Sequence, residues 1–404
     1  MTRNVKIVLA VSVFFGAATG IYEFMLPYYL DEQGLSYESM GTIFAVAAAG
    51  MLLLRILMGR LADVWGRKPF YGLALGGSAV AMWLTPSTGV VAWQAVLKTI
   101  REAMFVTRET LHPVILYEES RGRFMDFMGK TRGMEFLFQA AGTLLAGTLF
   151  VTIGTGGNLR LGAAMLAVGF VLFWLVFREH VHEHAARRAG SLRDLFSWDM
   201  HRNLKVITIS FFVFNIGMWC SHSFIMPLFF SKKFGVTPES VAWVMVLHRV
   251  TIALPLLLAG VLRIKRLKSA YIWALIAEGA VLSASALVPN FYGAAAVWLL
   301  HDLIGAGIWI PVQGLIIQDY TRPDRRALEM GKLQGYGGVG TIIGPWLAGV
   351  LSEQVNVSAP FFVSGLLMIA AAVVLVGLRL DERGQATAKA EGSVESDREG
   401  SSHG

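Results

Sequence analysis

Glu23, Lys98, Arg101, Glu102, His222, His301 and Asp302 are ionisable side chains set inside runs that are otherwise apolar, with Asn215 as a neutral polar companion. At the depth of a bilayer each costs several kcal/mol unless it faces protein, water or an opposite charge. Carboxylates and imidazoles exchange protons. Lys98 and Arg101, as fixed cations in a dry space, call for a counter-charge and so point to a solute with an anionic or zwitterionic group. Glu23 has no near partner on its own helix and is the leading candidate for proton or substrate contact. Plainer readings stand beside these. Lys98 and Glu102, four residues apart, are placed to pair along one helix. Neighbours on a helix diverge by about 100°, so neither Arg101 with Glu102 nor His301 with Asp302 is expected to converge on one point. His222 also reads as a structural histidine. His248-Arg249 sits mid-run, one of the two reaching inward. Arg55 can snorkel, and Glu278 reads as a neutral acid in a peripheral helix.

No Gly-x-Ser-x-Gly, Walker loop, HExxH or paired CxxC occurs, so no catalytic residue, metal or cofactor is expected, and neither an enzyme nor an ATP-driven pump. Energy would come from an ion gradient or the solute's own. The composition is that of a polytopic membrane protein: 404 residues, 55% hydrophobic, 16% charged, with mean hydropathy +0.56. The formal charge of +7 reflects basic loops rather than a nucleic-acid surface. Cys220 is the single cysteine, which rules out an intrachain disulfide. The first apolar run holds Glu23 and lacks a small-residue cleavage site, so it reads as a retained helix rather than a signal peptide.

Twelve apolar windows place spans near 6–30, 39–58, 70–86, 90–113, 125–152, 159–178, 204–230, 240–262, 269–288, 291–316, 331–352 and 358–378. One set of connections holds nearly all the loop Lys and Arg; the other holds only Arg160, Lys232 and Lys233. Both termini are therefore expected in the cytoplasm. Labelling of introduced cysteines in a Cys220-free background is expected to reach 31–38 from outside and 179–203 only from inside; labelling of 179–203 from outside would reverse this orientation. Met128-Gly129-Lys130 recurs as Met330-Gly331-Lys332, and Gly142-x-x-Leu145-Ala146-Gly147 as Gly344-x-x-Leu347-Ala348-Gly349, both 202 residues on. Phe24 and Pro27 likewise match Phe224 and Pro227, and Glu38-Ser39 matches Glu239-Ser240. The chain thus divides into a six-helix half over 1–178, a linker over 179–203, a second half over 204–380 and a disordered tail over 381–404. His180, His182 and His184 do not share a helical face and read as part of a solvated linker.

Between the second and third runs stands Gly59-Arg60-Leu61-Ala62-Asp63-Val64-Trp65-Gly66-Arg67-Lys68, read as a short loop. It matches Gly-x-x-x-Asp-x-x-Gly-Arg-Lys, and with the parallel repeat the chain resembles the major facilitator superfamily, twelve-helix type. That resemblance implies an all-α membrane fold with a central cavity lined by the first, fourth, seventh and tenth helices, which hold an unusual share of the polar groups within the apolar runs. It also implies that Gly59, Asp63, Gly66, Arg67, Lys68, Arg108 and Glu109 form a cytoplasmic gate latch between the halves, Asp63 favouring the outward-open state. Gly142-Thr143 replaces the Gly-Pro of many drug antiporters, and the fourth span lacks their Arg-x-x-x-Gly, which weakens a multidrug reading. The expectation is a monomeric, multi-pass secondary transporter of the inner membrane. It moves a small organic solute by proton-coupled alternating access, as antiporter or symporter, with small-molecule substrate, protons and membrane lipid as its partners and no nucleic acid. A lipid, amphiphile or drug exporter of the same fold is the alternative, and a non-transporting scaffold a third.

Overall fold

The computed structural model describes residues 2–119, 124–178, 197–258, 264–322 and 326–380. Among these the only regular structure is helix. The linker histidines, Arg121 and Arg123, and the tail beyond residue 380 lie outside the described residues. Twelve spans cross the bundle. The first four are Arg3–Glu32, Tyr37–Trp65, Arg67–Leu84 and Val91–Glu119. The fifth and sixth are the two arms of Phe124–Val176, which turn back on each other at Gly154, where φ is 65°. The seventh comes in two pieces, Arg202–Ser221 and Ile225–Phe234, followed by the eighth, Pro238–Leu258, and the ninth, Leu267–Leu287. The tenth is built of Phe291–His301, a π turn over Asp302–Ala306, and Gly307–Tyr320. The eleventh joins Arg326–Gly338 to Gly340–Gln354, and the twelfth is Ala359–Val374. Seven helical stretches among the described residues are long and apolar enough to cross a membrane by themselves; the fourth span carries Lys98, Arg101, Glu102, Arg108 and Glu109 along its length.

Two expectations are corrected. The 59–68 stretch is not a loop: the second span continues to Trp65 and the third begins at Arg67. Only Gly66 stands between them, with φ at 98°, a left-handed conformation that a side chain would strain. Nor are the seventh, tenth and eleventh spans continuous. The seventh ends where His222 bonds its N–H to the Met218 carbonyl, and it restarts with Pro227 in the first turn, where a missing N–H is harmless. In the tenth, Gly307 reaches back five residues to the Asp302 carbonyl. In the eleventh, glycines 337, 338 and 340 flank the break at Val339.

Glycine sets how closely the helices approach. In the first half a Cβ on Gly142 would come within 2.1 Å of the Ala17 carbonyl of the first span; its repeat mate Gly344 would press on Ile216 and Trp219 of the seventh. The halves meet in the same paired fashion. Gly147 of the fifth span seats Ala242 of the eighth, while Gly349 of the eleventh seats Tyr37, Glu38 and Gly41 of the second. Tyr28 donates to the Pro227 carbonyl at 3.3 Å, Lys232 pairs with Asp31, and the Tyr37 N–H bonds Glu353 at 2.9 Å. These contacts between the halves lie toward the end of the bundle that the loop charges of the sequence assign to the outside.

Within the first half, Arg108 is fully buried. Its Nε donates to Tyr71 Oη at 3.0 Å, its Nη1 to Glu109 at 2.8 Å, and its Nη2 to Ser12 at 2.9 Å and to Glu135. Arg132 bridges Glu109 and Glu135 at 2.6 and 3.0 Å. This network ties the first, third, fourth and fifth spans. Arg108→Ala leaves two carboxylates without their main cation, and is expected to destabilise the chain by about 3–5 kcal/mol, the usual effect of breaking a buried pair. Thermal unfolding in detergent measures it, and a variant that melts with the parent would show the network to be dispensable.

Candidate functional site

A cavity of about 310 Å³ lies where the two halves meet. From the first half its wall takes Glu23 and Tyr22 of the first span, Phe44 of the second, and Lys98 and Glu102 of the fourth. From the second half it takes His222 of the seventh and His248 and Arg249 of the eighth. Phe24, Met51, Met226, Trp219 and Met245 supply apolar wall.

On the first half's side Glu102 is a shared acceptor. Lys98 Nζ reaches its Oε1 at 2.9 Å and Arg101 Nη1 reaches the same oxygen at 3.0 Å. The expected pairing of Lys98 with Glu102 is present. The expected divergence of Arg101 from Glu102 is corrected: a guanidinium on a long flexible stem folds back over its own backbone turn. Arg101 Nη2 also lies 3.3 Å from the Thr19 hydroxyl. Aromatic faces cover both cations. Lys98 lies 4.1 Å from the centre of the Phe44 ring, and Arg101 lies 4.6 and 5.0 Å from those of Tyr22 and Phe105. Arg101 is buried behind the wall, whereas Lys98 and Glu102 reach it.

Glu23 faces the cavity with 41% of its side chain exposed and binds Arg249 Nη2 at 3.0 Å. This ion pair joins the two halves across the cavity. Lys98 and Arg101 are within electrostatic reach of the same carboxylate.

The second half's side is a histidine cluster. His222 Nε2 and His301 Nε2 are 3.0 Å apart. Asp302 takes His248 Nδ1 at 2.6 Å and the Thr251 hydroxyl at 2.8 Å on Oδ2, with His301 Nε2 3.3 Å from Oδ1. His301 and Asp302 therefore do converge, against expectation, because the π turn begins at Asp302 and re-aims the side chain. Both are buried behind His222 and His248 rather than on the wall. Asn215 turns away to the Gly337 carbonyl at 3.0 Å.

The other sequence candidates lie elsewhere. Glu278 is fully buried, its carboxyl oxygens have no hydrogen-bond partner among the described residues, and it packs against Gly305 in the π turn. In the proposed gate, the side chains of residues 55–65 lie outside the described ones, Asp63 included. Arg67 pairs with Glu118 at 3.3 Å, and Lys68 sits over the Trp174 ring at 5.4 Å. These contacts, and those of Arg108 and Glu109 with Tyr71, Ser12, Glu135 and Arg132, lie within the first half. Of His248 and Arg249 the sequence led us to expect one to reach inward, and both line the cavity. Tyr22 and Phe44 stood among no sequence candidates, because a run of aromatics in apolar helices gives no signal for them.

The Major Facilitator Superfamily model matches residues 8–220 and again 207–398. Multidrug resistance protein 2 of Bacillus subtilis (strain 168) is 23% identical over 382 residues, covering 91% of this chain and 93% of that protein. Among solved structures, a point mutant of the nucleoside transporter NupG superposes with a TM-score of 0.75 at 15% identity, over 92% of this chain and 98% of that one. A bacterial homologue of the iron transporter ferroportin, in its inward-facing state, gives 0.74 at 15% identity over 93% and 99%. These likenesses establish the fold, and the paired glycine seats repeat it within the chain. A twelve-helix bundle in two halves, matched by the same family model once in each, makes this chain a member of the Major Facilitator Superfamily, a multi-pass membrane protein with a transporter's fold.

Proposed function

We propose that the chain is a secondary active transporter of the inner membrane that moves a small organic solute bearing an anionic or zwitterionic group by proton-coupled alternating access. The observation that carries this is the Glu23–Arg249 pair, a cavity-facing carboxylate held by a cation of the opposite half. A proton on Glu23 frees Arg249 to take the solute's anion; loss of the proton restores the pair and expels it. Lys98 stands by as a second cation on the wall, its charge shared with Glu102. With the halves joined at the end assigned to the outside, this arrangement reads as an inward-facing state, and closure of the cytoplasmic end completes the cycle. Both termini lie in the cytoplasm, and one chain, without a cofactor, is the working unit.

A second reading, an exporter of drugs or amphiphiles, draws support from the Bacillus subtilis relative's name and the apolar Phe24, Met51, Trp219 and Met226 of the wall. A thermal-shift screen of the purified chain against organic anions, zwitterions and hydrophobic cations across pH separates the two, since a ligand of the native state raises apparent stability. Stabilisation by an anion or zwitterion that disappears in Arg249→Gln supports the first reading. Stabilisation by hydrophobic cations alone, unchanged in that variant, supports the second and overturns the first.

A further inference from the structure

The histidine cluster behind the cavity has a hydrogen-bonding imbalance. His301 Nδ1 faces the Trp298 carbonyl. A carbonyl only accepts, so Nδ1 carries the hydrogen, and Nε2 of the neutral ring is a bare lone pair. That lone pair lies 3.0 Å from His222 Nε2, which can donate an N–H to it, and 3.3 Å from Asp302 Oδ1, which cannot. His222 is oriented in its turn by Ser221 Oγ, 2.8 Å from its Nδ1, and Ser221 is fixed by Ser364 at 2.9 Å. The His301 lone pair and the Asp302 carboxylate oxygen thus face each other in a buried space, an arrangement that an electrophile between them relieves.

We propose that His248, His301 and Asp302 form the core of a binding site for a divalent transition-metal ion of the zinc class, and that His222, 3.0 Å from His301, swings in as its fourth ligand. Three imidazole nitrogens and one carboxylate suit a borderline-soft ion and not magnesium or calcium, which prefer all-oxygen shells. The spacing suits it as well. Tetrahedral ligands at about 2.0–2.1 Å from zinc are about 3.3 Å from one another, close to the 3.0 and 3.3 Å found. His248 Nδ1 lies within 4.8 Å of the ligand atoms of both His301 and Asp302. At 2.6 Å from Asp302 Oδ2 it is closer than two ligands sit, so on binding that contact opens and the His248 hydrogen moves to Nε2. The outer shell exists already: the Trp298 carbonyl holds His301, Ser221 holds His222, and Thr251 holds Asp302. His222 and His248 also line the cavity, which gives the ion its route in. The ligands come from the seventh, eighth and tenth spans, so the ion clamps one half together. Its binding is a property of that half, whatever the cavity carries.

The test uses the full-length, tag-free chain in detergent, stripped with chelator and dialysed against Zn2+, with bound metal counted by mass spectrometry. One zinc per chain is expected. His301→Gln and Asp302→Asn should bind none, while a triple alanine variant at His180, His182 and His184 keeps it and magnesium does not compete. Cobalt bound to the parent protein should give the intense visible bands of a tetrahedral nitrogen–oxygen site, a readout that stands even if a cluster variant fails to fold. Absence of bound metal, zinc retained by both cluster variants, zinc lost from the linker variant, or a weak octahedral cobalt spectrum would each overturn the proposal. In the first of those cases the electrophile is a proton on His301.

Discussion

Glu23→Gln is expected to abolish uphill, pH-driven accumulation of the solute while leaving expression and folding intact. The amide keeps the shape of the carboxylate and removes its charge and its proton chemistry. Glu23 is the acid best placed to exchange with solvent, because its side chain is 41% exposed to the cavity, where it pairs with Arg249. At that exposure the pair itself adds little stability, which is why the variant should fold. Exchange of labelled for unlabelled solute in proteoliposomes, which needs no proton, should survive. The variant is thus expected to equilibrate the solute at all pH values and concentrate it at none. Accumulation at the parental rate with the parental pH profile would remove Glu23 from the coupling step and return attention to Glu102.

Gly349→Val is expected to move the conformational equilibrium away from the state described here. A Cβ at Gly349 would come within 2.5 Å of the Tyr37 carbonyl and 3.2 Å of the Gly41 Cα. These are backbone atoms that no rotamer change can move aside. The overlap exists only while the second and eleventh spans are pressed together, so it penalises that state alone. Reversing a population from 1:99 to 99:1 takes about 5.5 kcal/mol, and this backbone clash moves the equilibrium in that direction. Spin-label distances between the outer ends of these spans are expected to lengthen, with transport slowed in proportion. Gly133→Ala, where an added Cβ meets nothing within 4 Å, is the control. An unchanged distance distribution in Gly349→Val would mean that the spans separate and rejoin along some other seam.

What the sequence made legible follows from the range of each interaction. The spans were readable because crossing a bilayer demands a long apolar run, and the two halves because the offset of 202 residues repeats the glycines that seat one helix on another. The buried charges were readable because such groups are rare in apolar runs. Their partners were not. Glu23 finds Arg249 at a separation of 226 residues, and nothing local in either helix announces the other. The rule that neighbours diverge failed twice, once through the reach of an arginine and once through a π turn at Asp302. The 59–68 stretch misled for the opposite reason: its glycines and charges resemble a loop, yet a single glycine at position 66 suffices to turn the chain.

The breaks in the helices have a mechanical consequence. The first span runs unbroken for 30 residues through Pro27, and the fourth for 29 through Pro113. Their counterparts in the second half, the seventh and tenth spans, are interrupted at His222–Phe224 and at Asp302–Ala306, and the eleventh is interrupted at Val339. A helix that loses one rung of its hydrogen-bond ladder at a proline resists bending better than one interrupted over several residues, which bends at the gap. The molecule is therefore a stiff lever working against a compliant one, not two equal rockers. Amide exchange should show the asymmetry directly, fastest in the membrane part at residues 222–225, 302–307 and 338–340 and slow along the first span. On the cycle proposed above, strain arising when the cavity fills is expected to be absorbed in the half that holds the histidines, while the half that holds Arg108 turns as a block.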